Sequence, residues 1–125
     1  MIWVVTDNPA TADGLPTLIA ARGYDVRVLL CHGDVLRHVR FRSPALFIVD
    51  CGTTVGNSGV VSAVRAEARD RDVPIVIFAA ADDAGRAEAL LKGADAVVRK
   101  GPLDWADLLG EIRRLAGPPD EANRL

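Results

Sequence analysis

Cysteine is scarce: Cys31 and Cys51 are the only two in 125 residues, and they form no CxxC pair. Two thiols without a secretion signal read as reduced cysteines of a cytoplasmic protein, not as a disulfide framework. Met1 leads straight into an apolar run with no basic segment before it, so no signal peptide is expected. Histidine is equally scarce. His32 and His38 lack further ligands at the spacing that zinc requires. No apolar run approaches the roughly 20 residues of a membrane span, so no membrane insertion is expected. Positive charge is not in excess either: the net charge is -2 and the pI about 5.6, against the basic face of a duplex-DNA binder.

What is present describes an ordinary globule. Half the residues are hydrophobic and 26% are charged, enough to build one core without metal or disulfides. Five short apolar runs recur: Ile2–Val5, Val26–Leu30, Ala45–Val49, Ile75–Phe78 and Ala96–Val98. They are continuous, not alternating, which predicts parallel strands covered on both faces. Helical patterns separate them. Residues 10–22 carry Leu15, Leu18 and Ile19 and stop at Gly23. Pro16 fits there only if the first turn starts late or the helix bends. Asp34 is placed to cap a short second helix, and Asn57 or Ser58 a third. Asp82 or Asp83 is placed to cap a fourth, and Asp104 a fifth that runs through Leu108, Ile112 and Leu115. Residues 1–117 read as one domain, and residues 118–125 as a polar, proline-containing tail that frays or links.

The alternation is (βα)5, an α/β doubly wound sheet with right-handed crossovers. Arg27 in the second run and Arg99 after the fifth mark those strands as edges. The first, third and fourth runs are wholly apolar and read as central. The predicted order is 2-1-3-4-5, the flavodoxin-like arrangement. Strand 1 then separates the ends of strands 2 and 3 by about 10 Å. A Cys31–Cys51 disulfide needs about 7 Å or less between Cα atoms and is not expected.

Ligands of such sheets bind beyond the carboxyl ends of the strands. Strand 1 is followed by Thr6-Asp7, strand 3 by Asp50, strand 4 by Ala79, and strand 5 by Arg99-Lys100. Asp7 and Asp50 are thus expected side by side, with Lys100 reaching in. Two carboxylates so close need a cation. Lys100 supplies one charge, and Mg²⁺ prefers such oxygen ligands. The chemistry suggested is phosphoryl transfer to the carboxylate of Asp50, with Mg²⁺ and Lys100 stabilising the transferring charge. A flavin-type phosphate cradle is disfavoured, because Thr6–Asp13 lacks a glycine-rich loop and Asp7 would repel the phosphate. Arg37, His38, Arg40 and Arg42 form a short basic stretch. It is read as a solvated face and not as a nucleic-acid contact, because phosphate binding needs several clustered cations.

At these residues the sequence resembles the receiver domain of two-component response regulators. The resemblance runs to about residue 116. It is carried by Ile2-Trp3-Val4-Val5-Thr6-Asp7-Asn8, Pro44–Asp50, Val73–Phe78 and Gly93-Ala94-Asp95-Ala96-Val97-Val98-Arg99-Lys100. It implies that Asp50 is the phosphoacceptor, that Asp7, Asp50 and the Gly52 carbonyl hold Mg²⁺, and that Lys100 pairs with the phosphoryl group. It implies a sensor histidine kinase or a phosphotransfer protein as donor. It also implies a downstream protein that docks on the face of the fourth helix, strand 5 and the fifth helix, a face that also allows a homodimer. Such a module is not an enzyme beyond self-catalysed phosphorylation and dephosphorylation.

The departures fall on the switch. Thr6 stands where receivers carry a second acid, Ala79 where they carry Ser or Thr, and Val97 where they carry Tyr or Phe. Gly101 replaces the proline after the lysine, so no cis bond is expected there. Acceptor and metal ligands are kept, while the hydroxyl-plus-aromatic relay is lost. Two readings follow: an atypical receiver phosphorylated on Asp50, or a pseudo-receiver that signals through phosphate-independent contacts.

Overall fold

The computed structural model describes residues 1–6, 9–29, 32–50, 58–68, 70, 72–79, 93–99 and 105–124. Five strands form one parallel sheet: β1 (Ile2–Val5), β2 (Val26–Leu29), β3 (Leu46–Asp50), β4 (Ile75–Ala79) and β5 (Ala96–Arg99). Their order is β2-β1-β3-β4-β5, as the charge pattern of the apolar runs predicts. The physical reason is visible in burial. β1 is buried at every position, whereas Val26, Arg27 and Val28 of β2 are only half-buried. An edge strand can keep an arginine in contact with water, and a central strand cannot do so without desolvating the charge.

The helices are α1 (Pro9–Ala20), α2 (His32–Val39), α3 (Ser58–Glu67), α4 (Trp105–Ala116) and the one-turn α5 (Pro119–Ala122). Helix α2 begins at His32, ahead of the cap expected at Asp34. Helix α1 runs through Pro16. The missing N–H costs a helical bond, but Leu15 and Ile19 on either side are fully buried and pin the helix to the sheet. The helix expected between strands 4 and 5, with Asp82 and Asp83, lies outside the described residues, as do Cys31 and Cys51.

Alternation along the strands sends side chains into two layers. One layer joins Trp3, Val5, Phe47, Val49, Ile75, Ile77 and Val97 to Val35 and Val39 of α2 and Val61 and Val64 of α3. The other joins Ile2, Val4, Leu46, Ile48, Val76 and Phe78 to Leu15 and Ile19 of α1 and Leu108 and Ile112 of α4. Each such aliphatic side chain contributes about 1.5–3 kcal/mol on full burial. In the first layer Phe47 meets Trp3 edge to face, with 5.4 Å between ring centroids.

The segment read as a polar tail is built into the fold. Helix α4 stops at Gly117, whose φ of +80° suits glycine. Pro118 and Pro119 then start the single turn of α5. Ala122 is buried in the second layer, and its carbonyl accepts a hydrogen bond from the Met1 ammonium. The Asn123 side chain accepts from the Asp25 N–H (2.8 Å) and donates to the Gly23 carbonyl (2.9 Å). The Tyr24 hydroxyl donates to the Gly117 carbonyl at 2.8 Å. Residues 117–123 therefore cover the amino edge of β1 and β2.

Candidate functional site

The carboxyl edge of the sheet sets the site. Val5 pairs with Val49, so the next residues, Thr6 and Asp50, leave neighbouring strands at one level. Asp50 closes β3 and is registered against Phe78 of β4. Ala79 closes β4 opposite Arg99 of β5. One pole of the sheet thus presents, strand by strand, Thr6, Asp50, Ala79 and Arg99. Asp7 follows Thr6 in the chain and Lys100 follows Arg99. Asp7, Gly52 and Lys100 themselves lie outside the described residues.

The three switch positions have distinct surroundings. Thr6 is only 2% exposed, and its N–H donates to the Leu29 carbonyl at 3.0 Å. A carboxylate at this buried position would require a nearby cation, whereas threonine places no charge there. Val97 is buried on the layer that faces α2 and α3, with Ile77 beside it in register. An aliphatic residue there fills the core and offers no ring that could turn between the interior and the surface. Ala79 brings no hydroxyl to the end of β4.

The basic stretch is dispersed. Arg40 pairs with Glu67 of α3 at 3.1 Å, both side chains being about half exposed. His38 lies beside Trp3, and its Nε2 is 3.2 Å from the Arg27 guanidinium. A guanidinium has no acceptor, so the ring nitrogen accepts. No group of three or more His, Cys, Asp or Glu residues gathers as a metal centre among the described residues. No helix among the described residues is long and apolar enough to cross a membrane.

A second constellation, at the opposite edge, is not apparent from local sequence patterns. Arg65 of α3 donates through Nε (3.1 Å) and Nη2 (2.7 Å) to the Gly93 carbonyl. Nη1 donates to the Val73 carbonyl, and Nη2 also reaches Asp95 Oδ2 at 2.9 Å. That same carboxylate oxygen accepts from the Ile75 N–H at 2.8 Å. Gly93 has a φ of +108°, and a Cβ there would stand 3.3 Å from Cγ and Nε of Arg65. The Gly-Ala-Asp lead-in to strand 5 thus has a structural cause: glycine for the turn and the close approach, and aspartate to receive Arg65 and the start of β4. The only local signal was the aspartate two places after a glycine at the head of a strand, and it does not name its partner.

No protein-family model matches the chain, and no curated protein does. Solved structures do. The receiver domain of the sensor histidine kinase PA1611 from Pseudomonas aeruginosa PAO1, solved with magnesium coordinated in its active-site cleft, superposes with a TM-score of 0.78 at 23% identity, over 93% of this chain and 96% of that one. The fold is that of a receiver domain. The receiver domain of the Francisella response regulator 1452 gives 0.79 at 19% identity, over 92% of this chain and 94% of that one. The Vibrio cholerae chemotaxis protein CheY4 gives 0.78 at 20%, over 91% and 96%. In the receiver fold of this chain, Asp50 ends the third strand and the GAD segment leads into the fifth.

Proposed function

We propose that this chain is an atypical receiver module that accepts a phosphoryl group on Asp50. The observation that carries the reading is the register at the carboxyl edge. Asp50 ends the central strand β3, Thr6 follows the adjacent strand at its level, and β5 pairs one place further on; Asp7 and Lys100 come next in the chain. Asp7, Asp50 and the Gly52 carbonyl would supply an all-oxygen donor set, which would suit Mg²⁺ with water and phosphate completing its shell. When bound, the ion neutralises the charge on the phosphoryl oxygens.

An Asp50 carboxylate oxygen attacks phosphorus in line and a P–O bond forms. The bond from phosphorus to the donor, an imidazole nitrogen or an acyl oxygen, breaks and its electron pair leaves with the donor. The Lys100 ammonium pairs with the transferred group. Hydrolysis returns Asp50 and inorganic phosphate, so the module catalyses only its own modification. The donor is a sensor histidine kinase or a phosphotransfer protein in a two-component relay in the cytoplasm. The readout is contact with a downstream protein through the face that includes β5 and α4.

Val97 and Ala79 favour a second reading. With an aliphatic core residue at 97 and no hydroxyl at 79, a pseudo-receiver would hold its partner without phosphate. Incubation with Mg²⁺ and acetyl phosphate, followed by intact mass, separates the two. The first reading expects a gain of one phosphoryl group that is absent from Asp50→Asn. If no gain appears, and beryllofluoride with Mg²⁺ leaves the NMR spectrum unchanged, phosphorylation is refuted and the second reading stands.

A further inference from the structure

Strand β5 is an edge strand of four residues, and among the described residues it pairs only with β4. Its register rests on four positions, Val76↔Ala96 to Ala79↔Arg99. Val97 and Val98 are buried in opposite layers, so a slip of one residue, which turns every side chain to the other face, would misplace both. Arg65 sits at the start of this ladder. It ties the carbonyls of Val73 and Gly93 and the carboxylate of Asp95 to α3, immediately before the first β4–β5 pair. Asp95 adds a further tie in both directions: its N–H donates to the Ile75 carbonyl at 2.8 Å, and its carboxylate accepts from the Ile75 N–H. The bonds from Arg65 to the Val73 and Gly93 carbonyls are partly buried, while its pair with Asp95, whose side chain is 39% exposed, faces water. A planar guanidinium can hold three acceptors in one plane, and a lysine ammonium cannot reproduce that fork.

The clamp also spans the chain in a particular way. Helix α3 is the element that follows Asp50, and β5 is the strand that leads into Lys100. Arg65 therefore joins the two segments on which the proposed chemistry depends, at the pole away from it. We propose that Arg65 is a positioning residue. It fixes the register of β5 against β4, and so the height at which Lys100 meets the phosphoryl group on Asp50. The statement about Lys100 rests on the phosphoryl reading above; the statement about β5 does not.

The test compares wild type, Arg65→Met, Arg65→Lys, Lys100→Ala and the double variant Arg65→Met/Lys100→Ala. Asp50 phosphorylation by acetyl phosphate with Mg²⁺ is followed by intact mass, and amide hydrogen exchange over residues 96–99 is measured on the same samples. Arg65→Met is expected to slow phosphorylation about tenfold or more, since a misplacement near 1 Å can cost ~100-fold. Arg65→Lys falls between. In the Lys100→Ala background, Arg65→Met adds no further loss, because it acts through that lysine. Exchange of β5 rises while that of β1 and β3 stays put. A merely structural role would lower Tm and leave the rate per folded molecule unchanged. The proposal is overturned if Arg65→Met phosphorylates at the wild-type rate, if its effect is undiminished without Lys100, or if β5 exchange is unaltered. If the wild type takes no phosphate, the phosphoryl reading falls on its own and β5 exchange alone decides the register role. Should Arg65→Met fail to fold, Asp95→Asn weakens the same clamp from the other side and takes its place.

Discussion

Two glycine-to-alanine changes should move stability in opposite directions. Gly93 has a φ of +108°, and an added Cβ would meet Arg65 at 3.3 Å. Alanine in a left-handed conformation costs about 1–2 kcal/mol. Displacing Arg65 from the Gly93 carbonyl costs about a further 1 kcal/mol. The expected total is about 2–3 kcal/mol. Gly110, by contrast, lies exposed inside α4, with nothing within 4 Å of a built Cβ. There alanine gains about 1 kcal/mol of helix propensity. Unfolding entropy of roughly 2.1 cal/mol/K per residue makes 1 kcal/mol worth about 4 °C in a chain of this length. Gly93→Ala should therefore lower Tm by about 8–12 °C and Gly110→Ala should raise it by about 4 °C. Thermal unfolding followed by circular dichroism reads both. A Gly93→Ala protein within about 2 °C of wild type would refute the account of the Gly-Ala-Asp turn, because neither the strain nor the displaced guanidinium could then be real.

Two further substitutions probe other parts of the fold. Phe47→Leu keeps a buried apolar residue but removes the edge-to-face contact with Trp3; urea unfolding should show a loss of about 1–2 kcal/mol. Tyr24→Phe removes the hydroxyl that donates to the Gly117 carbonyl. It should cost about 1 kcal/mol by the same assay and leave Asp50 phosphorylation unaltered, because the bond lies at the amino edge.

The strands were legible because their signal is local. Each is a run of three to five residues, apolar throughout but for Arg27, and that arginine was enough to send β2 to an edge. The place of Asp50 at the end of β3 was legible for the same reason, as the acid that closes an apolar run. The start of α2 was misread because a capping side chain, Asp34, looks the same at the N-cap as it does within the first turn. Pro16 looked disruptive because the burial of Leu15 and Ile19 that holds α1 in place is a tertiary fact. The closing segment was the largest gap. Asn123 with Gly23 and Tyr24 with Gly117 are contacts across nearly the whole chain, and a proline-containing polar sequence carries no local sign of them. Arg65 was overlooked likewise, since an arginine near the end of a helix is unremarkable until its acceptors are brought to it.

The division of the interior by the sheet has a consequence for variation. Phe47 and Ile48 are adjacent in sequence, yet they belong to separate apolar layers. Changes within one layer compete for the same volume and should compensate one another, as neighbours in contact do. Changes in different layers share little beyond the backbone between them and should act almost as if they were in different proteins. The α2–α3 side, which holds Val97, can then be repacked, even to admit a ring, while the α1–α4 side keeps its present sequence.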